Sequence, residues 1–558
     1  MKTAWKLYPL KTLEQERTLD FPDLHARLLA NRGICTDADI ESYLHPKYDM
    51  LGDPGQMKGV DKAVAIIEKN LQEGSICIFG DYDADGITAS SIYFETLERL
   101  GGDVQVILPT REEGYGLNSA AVEKIIEKKV SLLITADCGM RDAEQVEQLR
   151  KANIDVVVTD HHQAGEKEPD ANVVVNPMRD GESYPFQRFS GAGVAFKVCQ
   201  ALLRCKKRDP IEEKRLLDLA ALGTLADIMP LAGENRAMVK FGLEIMRIAK
   251  RPGLRVLFEH SGLSPKKASA QDIAFRIIPQ LNAAGRIGDP ITALKLLGSR
   301  NVSTAAEYSR TLQQVNETRK DLTHRAVEDI SGHIDENAAV IFETSESWPR
   351  GITGLVAGKI SDKYMKPTFV LEVTEKTAIG SVRGIDGLNV THLLEKCSEH
   401  LEMYGGHEQA AGFTVKRNEL DAFQSKIEET VQKLGVTEPK KEYQIDAETS
   451  FHQIDMKLID FLSSLEPFGE ANPEPIFMTN NCRIDDFRWV GKAKQHVQLF
   501  LSDGDGNPLK CIAFHRTDLK SIIKLENTID IVYHVRENDW NGKRMVDAQL
   551  IDCKEIKR

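Results

Sequence analysis

The chain lacks any run of about 18 consecutive apolar residues, which argues against a membrane-spanning helix. Its opening, Met1-Lys2-Thr3-Ala4-Trp5-Lys6, leads into no apolar stretch, so no signal peptide is expected and the cytoplasm is the expected compartment. Nine cysteines are scattered singly with no CxxC pair, which excludes a zinc ribbon and a disulfide scaffold and suits reduced thiols. There is no internal repeat and no low-complexity tract. Basic charge is also short: 72 Lys and Arg against 85 Asp and Glu leave a formal net charge of −13. A nucleic-acid binder of this sign must rely on local basic patches, because its overall field repels phosphate. What is present is ordinary globular material, 41% hydrophobic and 28% charged. A chain of 558 residues is too long for one core, and about three or four domains are expected.

Between residues 60 and 180 helical stretches (61–73, 87–100, 118–128, 142–151) alternate with short apolar runs (76–80, 103–109, 131–136, 155–159, 172–176). That alternation predicts βαβ units and a mostly parallel sheet, with right-handed crossovers placing all strand carboxyl ends on one edge. Residues 1–58 are polar and helix-like. Residues 191–330 read as helical, including a long segment at 303–333. A second α/β region starts near Ala338, a linker is expected at 436–443, and short alternating strands after 445 predict a small β-barrel.

Acids and histidines recur just after the apolar runs. Residues 75–80 lead into Asp81-Tyr82-Asp83-Ala84-Asp85-Gly86, residues 131–136 into Asp137-Cys138-Gly139, and residues 155–159 into Asp160-His161-His162. Strand carboxyl ends in open α/β sheets are where ligands bind, and so much negative charge in one place requires cations. In an extended segment Asp81, Asp83 and Asp85 would point to one side. The same letters open an EF-hand loop, but the twelfth position is Ile92 rather than Glu and a strand precedes them. Asp137 suits either a bridging carboxylate or an N-cap for the helix near 142. His161 and His162 point in different directions, so one can face a metal and the other a substrate. Asp227 sits in a very apolar stretch, where a carboxylate needs a metal or an arginine. Carboxylate and imidazole without thiolate suit manganese, or magnesium with retained waters. Two such ions activate water for in-line attack at phosphorus.

Asp81-Tyr82-Asp83-Ala84-Asp85-Gly86 together with Asp160-His161-His162 resembles the DHH phosphoesterase superfamily. Tyr404-Gly405-Gly406-His407-Glu408-Gln409-Ala410-Ala411-Gly412 matches the GGHxxAAG motif of the DHH-associated domain. With a C-terminal barrel, the whole layout resembles the superfamily's bacterial single-stranded-DNA-specific 5′→3′ exonucleases. The resemblance implies an N-terminal helical extension (1–58), a DHH domain with a mostly parallel sheet (59–235), a helical connector (236–335), an α/β DHH-associated domain (336–435) and an OB-like barrel (445–558). It implies metal-dependent degradation of single-stranded DNA to mononucleotides in repair and recombination, with two divalent cations, manganese or magnesium.

By the same resemblance Asp83, Asp85, Asp137, His161 and Asp227 ligate the ions, with Asp81 a ligand or a partner of one. His162 touches the scissile phosphate, with Arg286 and His407 close by. Phe79 stands where many relatives have histidine, so Asp81 or water is expected to complete that coordination. Ser381, Arg383 and Arg111 are implied to hold a 5′ phosphate, since arginine grips phosphate with two bonds; an ordinary surface ion pair is the other reading of each arginine. Gly405 and Gly406 line the substrate path or allow a tight turn. In the barrel, Lys492, Lys494, His496 and Lys510 interleave with Trp489, Phe500, Phe514 and Trp540. Val497, Leu499 and Leu501 share one face and Phe500 the other, where it can stack on a base or belong to an interface. A single-strand-binding protein and a helicase are the implied partners of a monomer that needs no membrane. Two other readings stay open: a phosphodiesterase acting on short oligonucleotides or cyclic dinucleotides, and a non-catalytic replisome scaffold.

Overall fold

The structure is a computed structural model of the full chain and describes residues 3–9, 21–165, 167–335, 337–434, 442–540 and 542–556. Two compact units form: Leu51–Met229 with Gly233–Pro439, and Met1–Met50 with Pro230–Ala232 and Lys440–Arg558. Among the described residues no helix is long and apolar enough to cross a membrane.

The first unit carries a five-stranded parallel sheet. Its order is Asp103–Ile107, Ser75–Gly80, Leu132–Ala136, Asp155–Thr159, Val173–Val175. The strand Ser75–Gly80 has its sequence successor on one side and the third strand on the other, so the order reverses there and opens a crevice at the carboxyl edge. Both faces of the sheet are covered, and the central strands are apolar throughout. The alternating elements expected from sequence are all present. The helix expected at 87–100 starts three residues earlier, at Ala84. Helices then follow almost without interruption from Gly191 to Ser331, ending in the 30-residue helix Val302–Ser331.

A second five-stranded sheet follows in the same unit, ordered Leu401–His407, Ala410–Lys416, Thr377–Arg383, Thr368–Val373, Ile341–Ser345. All its pairs are antiparallel except Ile341–Ser345 with Thr368–Val373. The other unit is a six-stranded barrel, closed by pairing of Phe477–Val490 with Thr528–Trp540. Its three longest strands run 13 or 14 residues, longer than the short strands expected. The N-terminal segment, read from sequence as helix-like, also contributes a strand: Ala4–Leu7 pairs in parallel with Glu442–Ile445. Most of the expected linker at 436–443 lies outside the described residues.

Candidate active site

The acids sit at the carboxyl edge of the parallel sheet, but Asp81, Asp83 and Asp85 are not on one extended segment. Asp83 is the N-cap of the helix Ala84–Arg99, accepting from Asp85 N–H at 2.9 Å and Gly86 N–H at 3.1 Å. Asp85 therefore lies in the first helical turn, where the helix's positive end favours a carboxylate. Its oxygens accept the N–H groups of Gly191 (2.6 Å) and Ala192 (2.9 Å), which open the helix Gly191–Cys205. That helix end approaches closely: a β-carbon on Gly191 would overlap the Asp137 side chain.

Asp137 does not cap the helix Ala143–Lys151; Asp142 precedes that helix and accepts instead from Leu117 N–H. Asp137 adopts a left-handed backbone (φ 68°) and buries its carboxylate. His161 Nε2 lies 3.0 Å from Asp137 Oδ1, 3.6 Å from Asp227 Oδ2 and 4.0 Å from Asp85 Oδ2. Among the described residues no arginine pairs with Asp227; it ends the helix Leu217–Ala226 and its carboxylate joins the cluster. Three ligand groups result, each with its atoms within 4.8 Å of one another: Asp81/Asp83/Asp137, Asp85/His161/Asp227 and Asp137/His161/His162.

Protonation separates the two histidines. Burial, then the charge on His162, pushes His161 down to about 4, and a bond to the Phe189 backbone holds one ring nitrogen. Its Nε2 therefore presents a lone pair, and neither it nor Asp137 Oδ1 has a hydrogen-bond partner. With Asp137 ionised, these two buried acceptors 3.0 Å apart repel, and a shared proton or a metal cation relieves the repulsion. Asp81 Oδ1 is orphaned in the same way. Burial and neighbouring carboxylates raise Asp81 and Asp137 well above the usual range, Asp85 to about 7 and Asp227 to about 8. The residues thus fit divalent ions, whose charge would reverse these shifts.

His162 is different. Burial opposes its charge, but the hydrogen bond to Asp160 at 2.8 Å and the Asp160, Asp227 and Asp81 charges raise it to about 9. Asp160 also accepts from Met140, His161 and His162 N–H, so it orients the pair and faces away from the ligand groups. The Tyr115 hydroxyl donates to the Asp137 carbonyl and lies 3.0 Å from His162 Nδ1. Asp160 is marked in sequence by its place beside the histidines, whereas Tyr115 carries no sequence signal. Phe79 is fully buried in the sheet's apolar core.

A second cluster is cationic. Arg286 is held down to about 10, by burial first and then by Arg111, Arg319 and Arg383, against the pull of Asp83. Arg111 donates to Gly285 O at 3.1 Å and stacks on Tyr82 at 4.6 Å; Arg286 donates to Gly351 O at 3.2 Å. Ser381 Oγ lies 3.0 Å from Thr353 Oγ1, next to Arg383. Arg319 was not anticipated. It lies mid-helix in Val302–Ser331 with a buried, unpartnered Nε. Gly405, Gly406 and His407 lie on the exposed edge strand Leu401–His407.

In the barrel Val497, Leu499 and Leu501 are buried and Phe500 is half-buried on the opposite face, as the alternation predicts. Arg488 lies 5.7 Å over Phe500 and Lys520 5.4 Å over Trp489. Lys492 and Lys494 are exposed in the turn before His496–Ser502. Lys510 pairs with Asp547 at 2.9 Å. The Trp540 side chain lies outside the described residues.

Three family models match in chain order: "DHH family, N-terminal domain" at 75–224, "DHHA1 domain" at 337–433 and "RecJ OB domain" at 445–552. The single-stranded-DNA-specific exonuclease RecJ of Bacillus subtilis is 34% identical over 556 residues, covering 98% of this chain and 69% of that protein. The chain belongs to the RecJ family. RecJ of Escherichia coli is 30% identical, over 97% of this chain and 98% of its own. The crystal structure of Thermus thermophilus RecJ in complex with Mn2+ matches with a TM-score of 0.85 at 28% identity, covering 100% of this chain and 80% of that one. The fold class read from sequence, with its parallel sheet, helical connector, associated α/β domain and OB-like barrel, is that of the RecJ family.

Proposed function

We propose that the chain is a metal-dependent 5′→3′ exonuclease that degrades single-stranded DNA to mononucleotides in DNA repair and recombination. The observation that carries this is the pair of orphaned buried acceptors, His161 Nε2 and Asp137 Oδ1, set 3.0 Å apart among raised carboxyl groups. The RecJ relatives are single-stranded-DNA-specific exonucleases, and the Thermus RecJ structures contain Mn2+ or Mg2+. Asp81, Asp83 and Asp137 would hold one cation, and Asp85, His161 and Asp227 a second. Two bound ions supply an activated water and stabilise the leaving oxygen of an in-line displacement.

The protein's own groups do the rest. Asp160 holds His162 protonated, leaving the other ring N–H to grip a non-bridging phosphate oxygen. Arg286 and His407 neutralise charge beside it. Arg111, Ser381 and Arg383 seat the 5′ phosphate and so set polarity, while Gly405 and Gly406 let the strand pass close to the backbone. In the barrel Lys492, Lys494, Phe500 and Trp540 hold the single strand by charge and stacking. We assign residues 59–235 to the catalytic domain, 236–335 to the connector, 336–435 to end recognition and 445–558 to strand binding. The reading puts the enzyme in the cytoplasm as a monomer, working with a helicase and a single-strand-binding protein.

Digestion of end-labelled single- and double-stranded DNA with Mn2+ or Mg2+ tests this. Asp137→Ala or His161→Ala lowers nucleotide release by on the order of 10³-fold or more while circular dichroism is unchanged. Full activity in either variant, or in excess chelator, overturns the metal mechanism.

A further inference from the structure

The helix Leu217–Ala226 ends in a Schellman closure. Met229 N–H donates to Thr224 O at 3.0 Å and Ile228 N–H to Leu225 O at 3.4 Å. This closure needs one residue in the left-handed region, and glycine usually fills it. Here the residue is Ile228, at φ 52°. A β-branched side chain there is a steric outlier, held only where its surroundings impose it. Folding gains little from keeping it, because Ile228 is 71% exposed and most of its apolar surface stays in water.

Its position gives the strain a use. Ile228 directly follows Asp227, whose carboxylate reaches His161. Around His161 the Asp85, Asp137 and His161 side chains are almost wholly covered, whereas Asp227 and His162 keep 33% and 27% of their surface. The pocket therefore opens to solvent beside the helix end that carries Ile228. The exposed branched alkyl group next in the chain to Asp227 has no polar partner to offer and no charge to complement. It suits the one part of a nucleotide that is neither charged nor confined to the metal cluster, the nucleoside.

We infer that Ile228 is a substrate-contacting residue, its branched side chain packing against the nucleoside whose phosphate lies at the Asp–His cluster. The inference rests on the nuclease reading and deepens it. An apolar contact of this kind accepts any base, as an enzyme indifferent to sequence requires. It contributes through surface removed from water on binding rather than on folding. Glycine at 228 would relax the backbone and delete the contact together, so stability and substrate affinity should move independently.

Steady-state hydrolysis of a 5′-phosphorylated oligothymidylate with Mn2+, and thermal unfolding, test this on the full chain. Ile228→Gly raises KM about tenfold, keeps kcat within twofold and does not lower the unfolding midpoint. Ile228→Val, which retains the branched surface, keeps KM within twofold of wild type. An Ile228→Gly KM within twofold of wild type overturns the inference. So does a lower kcat at unchanged KM, which would mean that the residue acts only by placing Asp227. A wild-type enzyme inert on this substrate overturns the nuclease reading instead.

Discussion

His161 and His162 are chain neighbours pushed in opposite directions, His161 down by burial and the charge on His162, and His162 up, against burial, by the Asp160 carboxylate. Asp160 bonds the ring of His162 but only the backbone N–H of His161, so the pair offers a bare lone pair on one side and a cation on the other. Titration of this centre has a consequence for stability. Asp85 at about 7 and Asp227 at about 8 lie above their unfolded values, as does His162 at about 9. Each such group holds its proton more tightly when folded, so its stabilisation is lost as pH rises toward the folded value. His161, lowered to about 4, works the other way but only below its unfolded 6.5. In chelator the unfolding midpoint is therefore expected to fall by about 2 °C or more between pH 6.5 and 8. Mn2+ should raise it more at pH 8 than at 6.5; a midpoint that ignores pH would refute the assignment. The arginines make a second residue-level prediction. Arg383→Ala, and also Arg319→Ala, should slow digestion of 5′-phosphorylated strands about tenfold more than strands ending in hydroxyl, the loss of one charge-assisted bond. Equal losses on both ends would remove either residue from the phosphate seat.

Elements decide which residues could be read in advance. The strands Ser75–Gly80, Leu132–Ala136 and Asp155–Thr159 are marked in sequence by their apolar runs. Residues just past a buried parallel strand must lie at one edge, so most of the acid–histidine site was legible. The geometry of Asp81, Asp83 and Asp85 was not, because an aspartate that caps a helix looks in sequence like one in an extended turn; Asp83 starts the helix three residues before its apolar periodicity does. Arg319 was hidden for another reason. On the 30-residue helix Val302–Ser331 its spacing is that of any solvated charge, and only packing brings it beside Arg286. Arg286 itself sits at a close approach of two other helices. A β-carbon on Gly351 would overlap the backbone carbonyl of Arg286, at the crossing of Ile278–Ile287 with Arg350–Tyr364. Because backbone cannot rotate away as a side chain can, Gly351→Ala should push the helices apart, costing about 1–3 kcal/mol. It should also carry Arg286 away from the phosphate, lowering kcat/KM by more than the stability loss explains. Wild-type kinetics in a destabilised Gly351→Ala protein would show that the crossing serves folding alone.

At the scale of the whole molecule, the chain's two ends build one unit. Leu28, Leu29, Ile40 and Leu44 pack into the apolar core of the barrel, some 400 residues away in sequence. No single sequence reveals a pairing so distant, which is why residues 1–58 read as a separate extension. Arg32 fixes the join: it donates to Asp446, Asn472, Pro473 and Leu28, and both members of its ion pair with Asp446 are more than nine-tenths buried. Removing one partner of such a pair leaves the other charged in a dry setting, a loss of about 3–5 kcal/mol. Arg32→Ala should therefore lower the melting of the barrel unit specifically. The acids, histidines and arginines of the active site all belong to the other unit, so its Mn2+-dependent midpoint and its hydrolysis of very short oligonucleotides should persist. On the proposed role of the barrel in strand binding, long strands should be cut less processively. Calorimetry would show one transition moving and one staying. A single transition shifted as a whole would mean that the two units fold as one, and a transition that does not move would mean that the N-terminal residues ride on the barrel without supporting it.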